Sequence, residues 1–174
     1  PYAASEIATA HIEGVQSQNV GTSIKHFCLN NQETRRMSIS AEVDERTMHE
    51  IYLSAFEGAV KNAKPWTVMC SYNRINGVFG SENQETLTDI LRKKWGYEGF
   101  VVSDWSAVND RVPGLKAGLD LEMPSSFGEN DALIVEAVKK GELDEAVVDQ
   151  AVERILNIVY RAQEGRKENA VFDR

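Results

Sequence analysis

Three short segments place reactive side chain types where an apolar run ends: Lys25 and His26 in IKHF, Tyr72 and Asn73 in MCSYN, and Asp104 with Trp105 in VVSDW. Asp104 closes the apolar run 100–102, and a carboxylate there is costly unless it is paired, solvated in a cleft or used. It reads either as a structural cap for the next turn or as a reacting carboxylate. Lys25 and His26 are adjacent, so their side chains point to opposite faces of a strand unless a bulge or the strand end re-aims one. A Lys, a His, a Tyr and an Asp converging on one face with a Trp beside them make a polar pocket with an aromatic wall. Such a pocket suits a sugar, whose hydroxyls take charged hydrogen-bond partners and whose C–H face packs on a ring.

The remaining chemistry-bearing residues carry less. Asp120 and Glu122 are two apart and share a strand face, where an exposed, an ion-paired and a substrate-contacting role all fit. His11 and His49 fall on helical patterns and read as helix-face residues. No pair of the three histidines has the close spacing of metal-binding helices, so neither a metal nor another cofactor is expected. Cys28 and Cys70 sit inside apolar, strand-like runs and read as small buried hydrophobes.

The elements that must position these residues alternate in type. Residues 4–18 have helical apolar spacing, 22–28 read as a buried strand, and Asp44 caps a long helix reaching Asn62. A second strand spans 67–72. After a loop with Asn76 and Gly77, a helix runs from Asn83 to Trp95 and stops at Gly96. The third strand is 100–104, a loosely patterned helix follows over 108–117, and 119–123 reads as a fourth strand ended by Pro124. Helices over 131–140 and from the Asp144 cap close the chain. Strands apolar along their length alternating with helices indicate parallel βα units. Four units cannot close an eight-stranded barrel, which takes about 250 residues, and the opening helix lacks its preceding strand, so the expected fold class is α/β and the chain reads as the C-terminal part of a TIM-type (β/α)8 barrel, incomplete by itself. A small open α/β sheet fits the length, but the Gly-rich phosphate loop after its first strand is missing. Residues 1–164 form the partial barrel and 165–174 a polar tail or linker.

With 42% hydrophobic and 26% charged residues, the composition is that of a globular domain able to bury a core. A net charge of −8 without a basic stripe argues against nucleic acid or an anionic membrane as partner. No apolar run approaches the ~20 residues of a membrane span, and the opening lacks signal-peptide regions. Localisation stays open because a signal peptide would precede Pro1; the lack of disulfide spacing leans toward the cytoplasm.

The strand-end motifs and their order resemble the barrel domain of glycoside hydrolase family 3. The resemblance is carried by PYAASEIATAHIEGVQSQNV, IKHFCLNNQETRR, DERTMHEIYLSAFEGAVKNAKPWTVMCSYNRING, LTDILRKKWGYEGFVVSDW and AGLDLEMP, over nearly the whole chain. It implies a retaining β-glycosidase of β-glucosidase type acting on a β-glucoside or short β-linked oligosaccharide. Asp104 carries over as the nucleophile, Lys25 and His26 as contacts to sugar hydroxyls, Tyr72 as the neighbour of the nucleophile, and Met69 and Trp105 as lining of the same subsite. A retaining mechanism also needs a second carboxyl group about 5–5.5 Å from the first. KHFCLNNQE stands where the N-acetylglucosaminidase-like branch has a KHFPGHG-type segment, so the acid/base residue is expected beyond Arg174. The rivals are a Schiff-base aldolase using Lys25 and a fragment that binds sugar or assembles without catalysis. An open half barrel exposes strand edges and apolar helix faces, so the expected protein partners are the rest of a parent enzyme, a complementary half, or a second copy.

Overall fold

The computed structural model describes residues 1–166; the expected tail falls almost wholly outside the described residues. Helix α1 (Tyr2–Gln16) leads into strand β1 (Ser23–Phe27), and after the two-residue β2 (Ser40–Ala41) a long helical stretch begins. Its start is fixed locally: the Asp44 side chain accepts the Thr47 N–H at 2.9 Å and opens α2 (Glu45–Thr47). The stretch continues as a π-helical segment, Met48–Leu53, into α3 (Ser54–Ala63), which ends at Lys64 in the left-handed region. Then come β3 (Thr67–Cys70), the short β4 (Arg74–Ile75) and β5 (Val78–Phe79), and a second π-helical segment, Glu85–Lys94. There Asn83 caps the first turn through Thr86 N–H at 2.9 Å. At the other end Trp95 N–H reaches back to the Ile90 carbonyl, five residues away. Strand β6 (Phe100–Val102) and helices α4 (Arg111–Ala117), α5 (Glu129–Lys139) and α6 (Glu145–Glu164) complete the order. Among the described residues, no helix is long and apolar enough to cross a membrane.

Strands β1, β3 and β6 form one parallel sheet in the order β1-β3-β6. Alternation along the strands divides its faces. Val68, Cys70 and Val101 are fully buried in one core with Leu53, Val60, Leu87 and Leu91 from the helical layer. Thr67, Met69 and Phe100, pointing the other way, are only half-buried. This is the βα architecture of a barrel with part of its circumference present, as the strand and helix patterns imply. Cys28 and Cys70 are both unbridged and fully buried. Burial raises the Cys28 thiol pKa, with Glu85 adding to the effect, and raises that of Cys70 to about 12.

Two expectations need correction. Residues 119–123 are not a regular fourth strand: they run parallel to β6 but share with it only the single bridge Val102 to Leu121. The reason is that side chains replace the ladder. The Asp120 carboxylate takes the Val101 N–H at 2.7 Å, and the Ser103 hydroxyl takes the Met123 N–H at 2.8 Å. The loop around Asn76 is in fact a hairpin: β4 and β5 pair antiparallel around Asn76 and Gly77, both at positive φ, and β4 also pairs with β2. An Asn-Gly pair between two short strands is the standard signal for such a turn.

Candidate active site

Asp104 stands two residues past the end of β6 and is 6% exposed. Each of its oxygens is engaged. Oδ1 accepts from Tyr72 Oη at 3.0 Å and from the Trp105 backbone N–H at 2.7 Å, while His26 Nε2 lies 3.2 Å from Oδ2. Tyr72 follows β3 by two residues and His26 lies in β1, so three neighbouring parallel strands converge on one carboxylate. Lys25 and His26 belong to a bulge: Ile24 pairs with Val68 and Phe27 with Cys70, three residue steps on β1 against two on β3. That irregularity frees His26 from strict alternation, as the adjacency of the two residues demands.

Burial, and then the hydrogen bond to and charge of Asp104, raise the pKa of the Tyr72 phenol, which keeps it a protonated donor at neutral pH. The Arg36 guanidinium lies 4.5 Å over the Tyr72 ring and pairs with Glu33 at 2.7 Å. The sequence reading did not single out Arg36. It sits in a segment between regular strands and helices, and only its place in the NNQETRR stretch could have marked it.

The other expected site residues are placed as follows. Lys25 is exposed and forms no hydrogen bond or ion pair among the described residues; with His26, Leu29, Tyr52 and Phe56 it lines an open cavity of about 480 Å³. Trp105 follows Asp104 directly and is 58% exposed. Met69 is half-buried on the sheet face opposite Val68 and pairs in register with Val102. Asn73 is buried and braces the backbone, donating to the Arg74 carbonyl at 3.0 Å. Asp120, left open by the sequence, is a buried ion-paired residue: Arg92 donates to it at 2.5 Å and Arg154 at 2.9 Å. Glu122 accepts from Asn130 at 2.6 Å. A larger cavity, about 540 Å³, lies away from this chemistry, at the opposite ends of the strands between residues 64–66 and 95–99. In parallel βα folds the carboxyl ends carry the reacting groups, so the cluster around Asp104 is the candidate active site.

Comparison with known proteins follows the same lines. The chain is 59% identical over all its 174 residues to the thermostable beta-glucosidase B of Acetivibrio thermocellus, of which it covers 23%. It is 49% identical over 163 residues to an exo-alpha-(1->6)-L-arabinopyranosidase of Bifidobacterium breve, covering 94% of this chain and 21% of that one. Its fold superposes with a TM-score of 0.95 on the GH3 beta-glucosidase of Bifidobacterium adolescentis, at 48% identity over 99% of this chain and 26% of that chain. With beta-glucosidase 3B of Thermotoga neapolitana in complex with glucose the TM-score is 0.89, at 46% identity over 92% and 24%. The chain thus spans about a quarter of the length of these relatives. The family model of the glycosyl hydrolase family 3 N terminal domain matches residues 1–158, and the chain belongs to that family.

Proposed function

We propose that this chain carries the nucleophile of a retaining β-glucosidase and works joined to further sequence that supplies the acid/base residue and the rest of the sugar subsite. The observation that carries this reading is the convergence of Tyr72, His26 and the Trp105 N–H on Asp104. Those three partners hold the carboxylate in one orientation at the carboxyl ends of the strands, and a fixed carboxylate facing the anomeric carbon is what a double displacement needs. Oδ1 carries two donors and Oδ2 faces only His26, at 3.2 Å, so Oδ2 is the less engaged oxygen and the one taken to attack.

In the first step Oδ2 attacks the anomeric carbon as the bond from that carbon to the aglycone oxygen breaks. The acid/base residue gives the departing oxygen its proton. In the second step that residue takes a proton from water, and the resulting hydroxide displaces Asp104, returning the carboxylate and releasing a sugar of retained configuration. Lys25 and His26 contact sugar hydroxyls, Trp105 and Met69 line the subsite, and Tyr72 holds Asp104. The Schiff-base reading is less well supported: an amine nucleophile is activated by desolvation or a neighbouring cation, and Lys25 is exposed.

The test is to incubate the chain, alone and rejoined to its flanking sequence, with an activated 2-deoxy-2-fluoro-β-glucoside and to map any adduct by mass. The rejoined protein is expected to carry the glycosyl group on Asp104; stable labelling of another carboxylate in an active protein rejects the assignment. The chain alone is expected to turn over at least about 10²–10⁴-fold more slowly, the cost of a missing general acid. Rates on aryl β-D-glucopyranosides against aryl α-L-arabinopyranosides rank the sugars, since relatives of both names align with this chain.

A further inference from the structure

We infer that Ser103 is a positioning residue for Asp104, acting through a clasp on the backbone of Met123; the inference rests on the reading of Asp104 as nucleophile. Strand β6 ends at Val102, so the turn that presents Asp104 has left the β3 ladder and must find other partners for its backbone groups. The chain on the other side, residues 119–123, offers only one regular bridge. Ser103 completes that bridge with its backbone and carries the pairing past it with its side chain. Its N–H donates to the Leu121 carbonyl at 2.9 Å, its hydroxyl oxygen accepts the Met123 N–H at 2.8 Å, and the same hydroxyl donates to the Met123 carbonyl at 3.1 Å. Only a group that donates and accepts at once can do this.

The Met123 carbonyl takes a second donor, the Ser106 N–H at 3.0 Å. A single carbonyl therefore gathers both flanks of the pair Asp104 and Trp105. Inside the turn the Ala107 N–H closes on the Asp104 carbonyl at 3.0 Å, and Ser81 Oγ donates to the Ala107 carbonyl at 3.0 Å. The Asp104 side chain is tied into the same turn through the Trp105 N–H. Rotating the turn would therefore move the carboxylate and its own donor away from Tyr72 and His26, which are fixed on other strands. Ser103 is fully buried and is not among the Asp104 side-chain partners, so its effect is on where Oδ2 stands when it attacks.

The experiment uses the chain rejoined to its flanking sequence and three variants, Ser103→Ala, Ser103→Cys and Ser103→Thr. For each, the rate constant for labelling by the activated 2-deoxy-2-fluoro-β-glucoside is measured beside the competitive inhibition constant of glucose. Ala removes the hydroxyl, Cys fills the space with a weak donor and acceptor, and Thr keeps the hydroxyl. Since misplacement of about 1 Å costs on the order of 10²-fold in rate, labelling of the Ala and Cys variants is expected to slow about 10- to 100-fold, with the glucose constant within about twofold. Thr is expected to label within about threefold of the unsubstituted protein. A folded Ala or Cys variant that labels at the original rate overturns the inference, and so does a Thr variant as slow as Ala. A fall in glucose affinity matching the loss of rate overturns it as well, since that is the mark of a generally loosened site. If the unsubstituted protein is labelled on a different carboxylate, it is the assignment of Asp104 that fails, which the adduct map shows separately from the variant rates.

Discussion

Tyr72 and Asp104 are 32 residues apart in the chain, on the ends of neighbouring parallel strands, and share a buried hydrogen bond of 3.0 Å. The bond fixes the relative height of β3 and β6, because a slip of one residue turns either side chain to the opposite face. It also presents a neutral donor to an acceptor that is most useful when ionised. Replacing Tyr72 with Phe is expected to leave the fold intact and to lower kcat/KM on an aryl glucoside about 10- to 100-fold. That range corresponds to one hydrogen bond to a charged group, about 1.5–3 kcal/mol. Steady-state kinetics of the rejoined protein check it.

Asp104→Asn is expected to abolish covalent labelling while leaving thermal stability close to that of the unsubstituted protein. The amide oxygen can still accept from Tyr72 and the Trp105 N–H, with the amide nitrogen turned toward His26, so the pocket remains satisfied while the proposed nucleophile is lost. Intact mass after exposure to the fluoroglucoside, read beside a melting curve, tests both halves of the statement.

The buried Asp120 predicts a stability effect of another size. Arg92 and Arg154 both donate to it, and Arg92 also holds the Gly99 and Gly118 carbonyls. Arg92→Met leaves a buried carboxylate short of a partner and is expected to cost about 3–5 kcal/mol. Arg154→Met, whose side chain is more exposed, is expected to cost less. Urea unfolding of the two variants gives the order.

The thiols predict an alkaline limit. Burial raises the folded-state pKa of Cys28 and takes that of Cys70 to about 12, so the folded state holds protons that the unfolded chain gives up. A group raised on folding contributes fully below its unfolded pKa, and its contribution is lost as pH rises through the folded value. Stability is therefore expected to fall as pH climbs from near 9 toward 12, and to fall less in a Cys28→Ala, Cys70→Ala double variant. Urea midpoints at pH 8 and pH 10 provide the measurement, and a thiol reagent at pH 8 should modify neither cysteine until the chain unfolds.

What could be read in the sequence follows from where each structural decision is made. The caps at Asp44 and Asp144 and the stop at Gly96 are local events, written in residue types within one turn, and they stand where the spacing put them. The apolar strands are legible because both faces of a central barrel strand meet other atoms. The 119–123 segment misled because it meets β6 through the carboxylate of its own Asp120 and the hydroxyl of Ser103, which no periodicity records. Of the candidate site, Asp104 announced itself as a carboxylate after three apolar residues. Its meeting with Tyr72 and His26 follows from strand order, which a single sequence does not state. The stack of Arg36 on Tyr72 depends on the path of an irregular loop and was not foreseeable.

The separation of the sheet into a helix-covered face and an opposite face bears on how this domain can change over generations. Val68, Cys70 and Val101 are packed into the helix-covered core, while Met69 lies half-buried on the opposite face and His26 turns toward Asp104. A substitution in one set is expected to leave the other in place, since neighbours along a strand face different surroundings. Residues on the half-buried face can therefore change without disturbing the helix-covered core. Relatives named as a beta-glucosidase and an exo-alpha-(1->6)-L-arabinopyranosidase share at least 49% of their aligned residues with this one chain.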